Sequence, residues 1–225
     1  MGKFYSVAID GPAGAGKSTI AKVLAKELGL IYVDTGALYR TVGYYTTHRG
    51  ITLDDIEGIT AALSDLTVEL KYVDGVQRVF ANGEDVSDLI RTPAISMAAS
   101  AVSAIPAVRD YLLATQRDIA AKNSVVMDGR DIGTVILPNA EVKIFLTASP
   151  EARARRRYAE LQEKGDPATY EEVLSDMIKR DYDDSHRATA PLKQAEDAVL
   201  VDTSDMGLAE TIDHMKQVVA RKLAQ

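Results

Sequence analysis

The chain has 225 residues, of which 46% are hydrophobic and 26% charged, and its formal net charge is −7. This length and balance predict one folded domain and argue against a disordered chain. The negative charge disfavours nucleic-acid polymers and membrane surfaces as partners, because both select basic surfaces. The chain has no cysteine and no apolar run long enough for a membrane span, so we expect a cytoplasmic protein without disulfides or thiolate metal sites.

The first predicted element is a short apolar strand over residues 5–9, and a glycine-rich loop follows it. Residues 11–19 read Gly-Pro-Ala-Gly-Ala-Gly-Lys-Ser-Thr and contain the complete G-x-x-x-x-G-K-[ST] motif. Residues 18–28 have a helical pattern, so the motif lies in the strand–loop–helix context that it requires. The alternative is a glycine-rich turn without a ligand.

The chemistry of this loop suits phosphate groups. Its glycines let the backbone curl so that successive N–H groups point at anionic oxygens, and the start of the next helix adds partial positive charge. Lys17 adds a full charge, and the Ser18 hydroxyl can complete the shell of a magnesium ion. A nucleoside triphosphate is therefore the predicted ligand. Its predicted contacts are Gly11, Pro12, Ala13, Gly14, Ala15, Gly16, Lys17, Ser18 and Thr19.

Four more apolar runs, separated by helical patterns, resemble buried strands: residues 30–33, 124–127, 142–146 and 198–201. Most are apolar throughout, which predicts a parallel sheet covered on both faces. We therefore predict an α/β fold of the P-loop NTPase type, with a doubly wound five-stranded parallel sheet. Ligands of such sheets gather beyond the carboxyl ends of the strands. The phosphate loop, residues 34–35 and residues 128–131 all follow strand ends, so we expect them to face one cleft.

Residues 67–86 interrupt this rhythm. They carry two hairpin signals, Asp74-Gly75 and Asn82-Gly83, between apolar positions. We predict a small three-stranded antiparallel meander within an insertion over about residues 63–102. Helices are expected over residues 93–104 and 106–122, with Pro106 in the first turn of the second.

Residues 151–157 place four arginines within five positions of a helical pattern. Helical geometry predicts that Arg153, Arg156 and Arg157 share one face while Arg155 points away. Three like charges on one face need solvent or a counter-anion. We predict a mobile lid over about residues 151–167 that brings positive charge to a transferring phosphoryl group. The alternative is a solvated basic face.

Two further patterns carry charge. Arg180, Asp184 and Arg187 are spaced i, i+4, i+7, and they either contact a ligand or include an ordinary Arg180–Asp184 ion pair. Asp128 follows an apolar strand. It is a candidate, together with Ser18, for holding magnesium or its bound water, and the alternative is a hydrogen bond within the core.

Along nearly its whole length the chain resembles bacterial cytidylate kinases. The phosphate loop alone would indicate only a superfamily of nucleotide-binding proteins. Its combination with Asp128-Gly-Arg-Asp131 and the meander insertion is more specific. The matching segments are residues 9–19, 34–40, 90–92, 128–134, 142–146, 180–187 and 190–192.

This resemblance implies a single kinase domain over residues 1–225 that transfers the γ-phosphoryl group of ATP to CMP or dCMP with Mg²⁺, as a monomer. It implies three sets of acceptor contacts. Arg40, Arg130 and Arg187 correspond to the clamp on the acceptor phosphate, Thr35, Arg109 and Asp131 to the cytosine contacts, and Ser100, Arg180 and Asp184 to the sugar contacts. Thr35 stands where the family more usually has serine, and the hydroxyl is retained.

For the chemistry we expect in-line transfer without a covalent intermediate, through positioning and charge neutralisation. The expected catalytic residues are Lys17, Arg130, Arg153, Arg157 and Arg187. The nearest alternative is another small-molecule kinase, either for a different nucleoside monophosphate or of the shikimate type. A GTPase-like switch is disfavoured, because the sequence has no Asn-Lys-x-Asp motif. A nucleotide-fold protein without turnover is disfavoured by the intact loop and the arginine set.

Overall fold

A computed structural model describes residues 4–73 and 76–224. The predicted Asp74-Gly75 turn lies outside the described residues. The chain forms two compact units. The first comprises the residues up to Tyr32 and those from Asn123 onward, and the second is Val33–Lys122. Each helix of the described chain is too short or too polar to cross a membrane.

The elements alternate between strand and helix along most of the chain. The strands are β1 (Ser6–Asp10), β2 (Ile31–Asp34), β3 (Val68–Val73), β4 (Val76–Ala81), β5 (Glu84–Asp85), β6 (Val125–Gly129), β7 (Val142–Thr147) and β8 (Val199–Asp202). The α-helices are α1 (Lys17–Leu28), α2 (Thr35–His48), α3 (Ile56–Ala62), α4 (Pro93–Ser103), α5 (Pro106–Lys122), α6 (Pro150–Glu163), α7 (Tyr170–His186) and α8 (Leu208–Leu223). A 3₁₀ turn covers Leu63–Asp65, and a π-helical turn covers Ile132–Ile136.

The main sheet has five strands in the order β2-β6-β1-β7-β8. The central strand β1 is paired in parallel on both sides, and Asp10 lies opposite Gly129 of β6 and Phe145 of β7. Strands β7 and β8 are also parallel. Apolar side chains of β1, α1, β7 and α8 form the core of the first unit, and Ile9 and Leu24 are fully buried in it. The predicted five-stranded parallel fold is confirmed.

Local sequence signals explain where several helices begin and end. Helix α1 stops at Gly29, whose φ of 68° is a left-handed helix end that favours glycine. Helix α6 begins after Ser149, whose side chain accepts a hydrogen bond from the Ala152 amide. Helix α7 starts with a capping box between Thr169 and Glu172. These three helices therefore carry local signals, in their own end residues, for where they begin or end.

The second unit holds the predicted meander. Strand β4 pairs antiparallel with β3 and with the two-residue strand β5. Asn82 and Gly83 have φ of 50° and 82°, as the two central residues of a type I′ hairpin turn require. Helices α2 and α4 pack closely at Gly43, where a Cβ would lie only 3.0 Å from the Cβ of Ala98. The three-stranded antiparallel sheet is thus confirmed.

Candidate nucleotide-binding site

The phosphate loop connects β1 to α1 with the backbone that its glycines permit. Gly11 has a φ of 149°, and a Cβ there would lie 1.9 Å from the Leu146 carbonyl oxygen, so no other residue fits without moving β7. Gly14 and Gly16 have φ of 73° and 87°, a region that side chains disfavour. The loop geometry expected from the motif is therefore present.

Lys17 is the first residue of α1 and is 6% exposed. Its Nζ donates a hydrogen bond to the Pro12 carbonyl oxygen at 2.7 Å. Burial lowers the pKa of Lys17, and the charge of Arg130 acts in the same direction, while nearby carboxylates of Asp128, Asp10 and Asp184 oppose the shift. An anion bound at the loop would favour the charged ammonium, because an opposite charge stabilises it.

Ser18 and Asp128, the two candidate metal residues, lie together. The Ser18 hydroxyl donates to Asp128 Oδ2 at 2.9 Å, and Asp128 is buried near the carboxyl end of β6. A hydroxyl and a carboxylate are oxygen donors that suit magnesium, which takes few protein ligands and completes its shell with phosphates and water. Within the described ranges no cluster of three or more His, Cys, Asp or Glu side chains is arranged for a metal. The pair therefore offers two oxygen atoms that fit a magnesium ion.

A buried group of charges follows β6 in the same unit. Arg130 Nε lies 2.8 Å from Asp184 Oδ2, while Arg187 Nη1 lies 3.9 Å from Asp184 Oδ1 and Arg187 Nη2 lies 3.8 Å from Asp131 Oδ1. Burial raises the pKa of Asp184, but the charge and hydrogen bond of Arg130, with the charges of Arg180 and Arg187, outweigh it and leave the pKa lowered. We call Arg130, Asp131, Asp184 and Arg187 the charged cluster.

The predicted helical placement of Arg187 is wrong. The prediction placed Arg180, Asp184 and Arg187 on one helical face, but α7 ends at His186 and Arg187 has an extended backbone. Arg187 therefore reaches Asp184 from beyond the helix end. The close ion pair of Asp184 is with Arg130, 54 residues away in sequence, which helical spacing does not reveal.

The arginine-rich helix α6 also differs from the sequence expectation, because the three arginines that were predicted to share one face have separate partners. Arg153 is 2% exposed, and its guanidinium contacts Asp181 at 3.1 Å and donates to the Ala13 carbonyl oxygen of the phosphate loop at 2.9 Å. Arg156 Nη1 donates to Thr203 Oγ1 at 3.2 Å. Arg157 pairs with Glu160 at 3.1 Å and is 40% exposed. Asp181 is thus a counter-anion for Arg153 within the protein, where the sequence pattern predicted a ligand or solvent.

A pocket of about 450 Å³ opens beside this contact in the first unit. Pro12 of the phosphate loop, Arg153 and Asp181 line it together with residues after β7 and β8, among them Ser149 and Ser204. Its size falls within the range of small-molecule sites. It provides a candidate space beside the phosphate loop for the rest of a nucleotide.

In the second unit, Thr35 and Arg40 belong to α2. Thr35 is the buried first residue of that helix. Asp34 Oδ1 accepts a hydrogen bond from the Ala37 amide at 3.0 Å, and Asp34 Oδ2 accepts one from Arg40 Nη2 at 2.8 Å. Gly36 makes room for this arrangement, since a Cβ there would lie 3.0 Å from Arg40 Nη1.

Ser100 and Arg109, the remaining candidates of the second unit, lie on α4 and α5. The Ser100 carbonyl oxygen accepts a hydrogen bond from the Ser103 hydroxyl at 2.8 Å. Arg109 is buried, donates to the Ser103 carbonyl oxygen at 3.1 Å and lies 5.5 Å from the centre of the Tyr39 ring. The backbone of Ser103 therefore fixes the guanidinium of Arg109 within this unit.

The comparison with known families agrees with these features. The model of the family described as cytidylate kinase matches residues 7–221. The chain belongs to the cytidylate kinase family. The cytidylate kinase of Carboxydothermus hydrogenoformans is 50% identical over 216 residues, which cover 96% of this chain and 97% of that protein. The cytidylate kinase of Ligilactobacillus salivarius is 49% identical over 222 residues, 99% of each chain.

A solved structure of an uncharacterised protein from Eubacterium ventriosum is also similar, with a TM-score of 0.52 and 13% identity. The match covers 97% of this chain and 99% of that one, and it indicates a common fold only. The membership in the cytidylate kinase family expected from the sequence motifs is confirmed.

Two carboxylates of this cytidylate kinase family member, Asp34 and Asp181, contact candidate site residues, and a third, Asp10, binds the backbone directly after Asp131; none of the three was a candidate from sequence. Asp34 has a recognisable signal, since an aspartate before a helix is a common cap. Asp181 and Asp10 have no such local signal, because their partners lie far away in the chain. Asp181 binds Arg153, which lies 28 residues earlier. Asp10 accepts hydrogen bonds from the backbone amides of residues that lie 122 and 123 positions later.

Proposed function

We propose that this chain transfers the γ-phosphoryl group of ATP to CMP or dCMP, giving ADP and CDP or dCDP. The observation that carries the proposal is the joint presence, in one unit, of a phosphate loop with buried Lys17 and of the charged cluster. The charges of Arg130 and Asp184 act on Lys17, so the two groups are electrostatic neighbours. Membership in the cytidylate kinase family supports cytidine monophosphates as the acceptors.

For the donor, residues 11–19 bind the phosphates of ATP in this proposal. Lys17 neutralises charge on them, and the pocket beside Pro12 receives the base and ribose. Ser18 and Asp128 would hold Mg²⁺, directly or through water. The ion, when bound, supplies positive charge to the phosphate oxygens.

For the acceptor phosphate, Arg130 and Arg187 are the contacts that the first unit offers. Arg130 lies 2.8 Å from Asp184, and Arg187 lies 3.8 to 3.9 Å from Asp131 and Asp184. A guanidinium group has five N–H donors in a planar fork. A phosphate can therefore add two-point hydrogen bonds to them without removing the carboxylates. Arg40 is the third residue that the family resemblance assigns to the acceptor phosphate.

For the base, we assign Asp131 to the exocyclic amine of cytosine. A carboxylate accepts that hydrogen bond, whereas uracil presents an oxygen at the same position and leaves the carboxylate unpaired. Thr35 and Arg109 are assigned to the cytosine edge as well. Ser100, Arg180 and Asp184 are assigned to the sugar.

The reaction needs no covalent intermediate. The bound substrates are aligned for in-line attack, and Lys17, Arg130 and Arg187 neutralise the charge that spreads over the transferring group. Arg153, through the Ala13 carbonyl oxygen, holds the phosphate loop in place. Residues 151–167 act as the lid, and Arg157, which is more exposed than Arg153, supplies its charge.

A coupled assay of ADP release tests this function with ATP and Mg²⁺ against CMP, dCMP, UMP, AMP and shikimate. We expect CMP or dCMP to give the highest kcat/KM. Preference for AMP or shikimate would establish a different small-molecule kinase. Stimulation of ADP release by none of the five would contradict the proposal.

We expect the Arg187→Ala variant to bind every monophosphate more weakly. Loss of a charged two-point contact predicts a rise of about ten- to a hundredfold in KM for CMP, dCMP and UMP alike. Initial rates over a range of each acceptor measure this. Arg155→Ala, on the exposed side of α6, is the matched control and should behave as the parent. A change confined to the cytosine preference would show that Arg187 does not bind the phosphate.

A further inference from the structure

Asp10 makes an unusual pair of long-range hydrogen bonds. It is the last residue of β1, directly before the phosphate loop, and only 4% of it is exposed. Its Oδ1 accepts the Ile132 amide and its Oδ2 accepts the Gly133 amide, both at 2.7 Å. These amides open the π-helical turn that follows Asp131. A side chain from the central strand thus caps a helical turn more than a hundred residues away.

The two ends of this link differ in rigidity. The backbone of Asp10 is held in the middle of the sheet, between Gly129 and Phe145. The segment that it binds is irregular, since Asp131 has φ −146° and ψ 26° and is followed by a single π turn. The first amides of a helical turn have no partner within the turn, so an outside acceptor decides where the turn begins. Here that acceptor is the Asp10 carboxylate.

Gly133, the second residue that Asp10 binds, is closely packed. A Cβ on Gly133 would lie 3.3 Å from Asp10 Oδ2 and 3.1 Å from Lys143 Cδ. An alanine at position 133 would therefore press on both side chains, which would have to move by a few tenths of an ångström.

Keeping a carboxylate at this position has an energetic cost. Burial raises the pKa of Asp10 to about 6, although the two amide hydrogen bonds and Lys17 act in the opposite direction and Asp131 adds to the rise. A buried charged group is a poor way to gain stability, and geometric specificity is one reason for retaining it. The group that gains this specificity is Asp131, the residue next to the bound amides.

We infer that Asp10 is a positioning residue for base recognition, which acts through the Ile132 and Gly133 amides on Asp131. The inference rests on the proposed function, in which Asp131 contacts the cytosine amine. Asp10 touches neither substrate in this scheme. It sets the affinity for CMP and the discrimination against UMP, and it affects the KM for ATP less, through its charge on Lys17.

The test is Asp10→Asn, which keeps the shape but turns an amide N–H₂ toward a backbone N–H. Loss of charge-assisted hydrogen bonds predicts a fall of about ten- to a hundredfold in kcat/KM for CMP, mostly through a higher KM. The ratio of kcat/KM for CMP to that for UMP should also fall. The KM for ATP should rise less than the KM for CMP, because the Asp10 carboxylate acts on Lys17 through charge but is hydrogen-bonded directly to the turn after Asp131. Amide hydrogen exchange at residues 132 and 133 should accelerate.

Asp197→Asn is the matched control. Asp197 pairs with Lys143 at 2.8 Å and is largely exposed, so this variant loosens the neighbour of Gly133 but keeps the Asp10 hydrogen bonds. It should retain the parent CMP/UMP ratio. If Asp10→Asn does not fold, Gly133→Ala perturbs the same hydrogen bonds sterically and should raise the KM for CMP in the same selective way.

The outcomes separate this inference from the function beneath it. A folded Asp10→Asn variant with faster exchange but the parent CMP/UMP ratio would overturn the inference. Equal rises in KM for CMP and ATP would also overturn it, because they indicate general loosening. Failure of the parent protein to use CMP or dCMP would instead refute the proposed function, and with it the inference.

Discussion

The Lys17→Ala variant is expected to lose essentially all phosphoryl transfer, with kcat reduced by about a thousandfold or more. Lys17 is the buried cation of the phosphate loop, and its Nζ is held by the Pro12 carbonyl oxygen at 2.7 Å. An alanine removes the charge where negative charge spreads in the transition state. The coupled ADP assay, with enough enzyme to detect slow turnover, measures the loss.

Two companion variants separate charge from packing. Lys17→Met keeps most of the side-chain volume, so it should melt near the parent temperature and still lack turnover. Lys26→Met, an exposed residue of the same helix, should keep both stability and activity. If the folded Lys17→Met variant retained more than about a tenth of parent kcat, the role assigned to the Lys17 charge would be wrong.

Replacement of Asp131 is expected to have the second large effect, on the choice of base. Asp131→Ala should raise the KM for CMP and relax the rejection of UMP, so that the CMP/UMP ratio of kcat/KM falls by about a hundredfold. In this variant the uracil oxygen no longer lies against a carboxylate that it cannot hydrogen-bond, so UMP is rejected less strongly. Asp131→Asn should relax the ratio in the same direction, since its amide can donate to the uracil oxygen.

Steady-state kinetics with both acceptors give this ratio directly. Asp118→Asn, in an exposed ion pair on α5, is the control and should not change it. Arg187 lies 3.8 Å from Asp131, so loss of Asp131 also removes a counter-charge from the phosphate contact. Comparison with Arg187→Ala separates the two effects, because that variant should affect all monophosphates alike. An unchanged CMP/UMP ratio in Asp131→Ala would refute the base-reading role.

Most of the fold could be predicted from local patterns. The phosphate loop, the five buried strands and the meander lie within two residues of their predicted places, because each depends on nearby signals such as glycine turns and apolar runs. Helix α5 has the predicted bounds, 106–122. Its start is marked by Pro106, which fits the first turn of a helix.

The partners of the charged side chains could not be predicted in this way. Helical spacing suggested that Arg153, Arg156 and Arg157 present a shared basic face. Instead, Arg153 turns inward to Asp181 and to the phosphate loop. Spacing along one helix says which residues share a face, but not which carboxylate a neighbouring element brings to that face.

The sequence by itself was enough to predict the phosphate loop, the parallel sheet, the meander and membership in the cytidylate kinase family, because each depends on residues that are contiguous in the chain. Only the tertiary structure decided that Ser18 meets Asp128, that Arg130 meets Asp184, and that Asp10 caps the turn after Asp131. The physical reason is that such contacts join residues 54 to 122 positions apart. Parallel strands bring them together when they pair, and no local preference of the chain encodes which side chains then face each other.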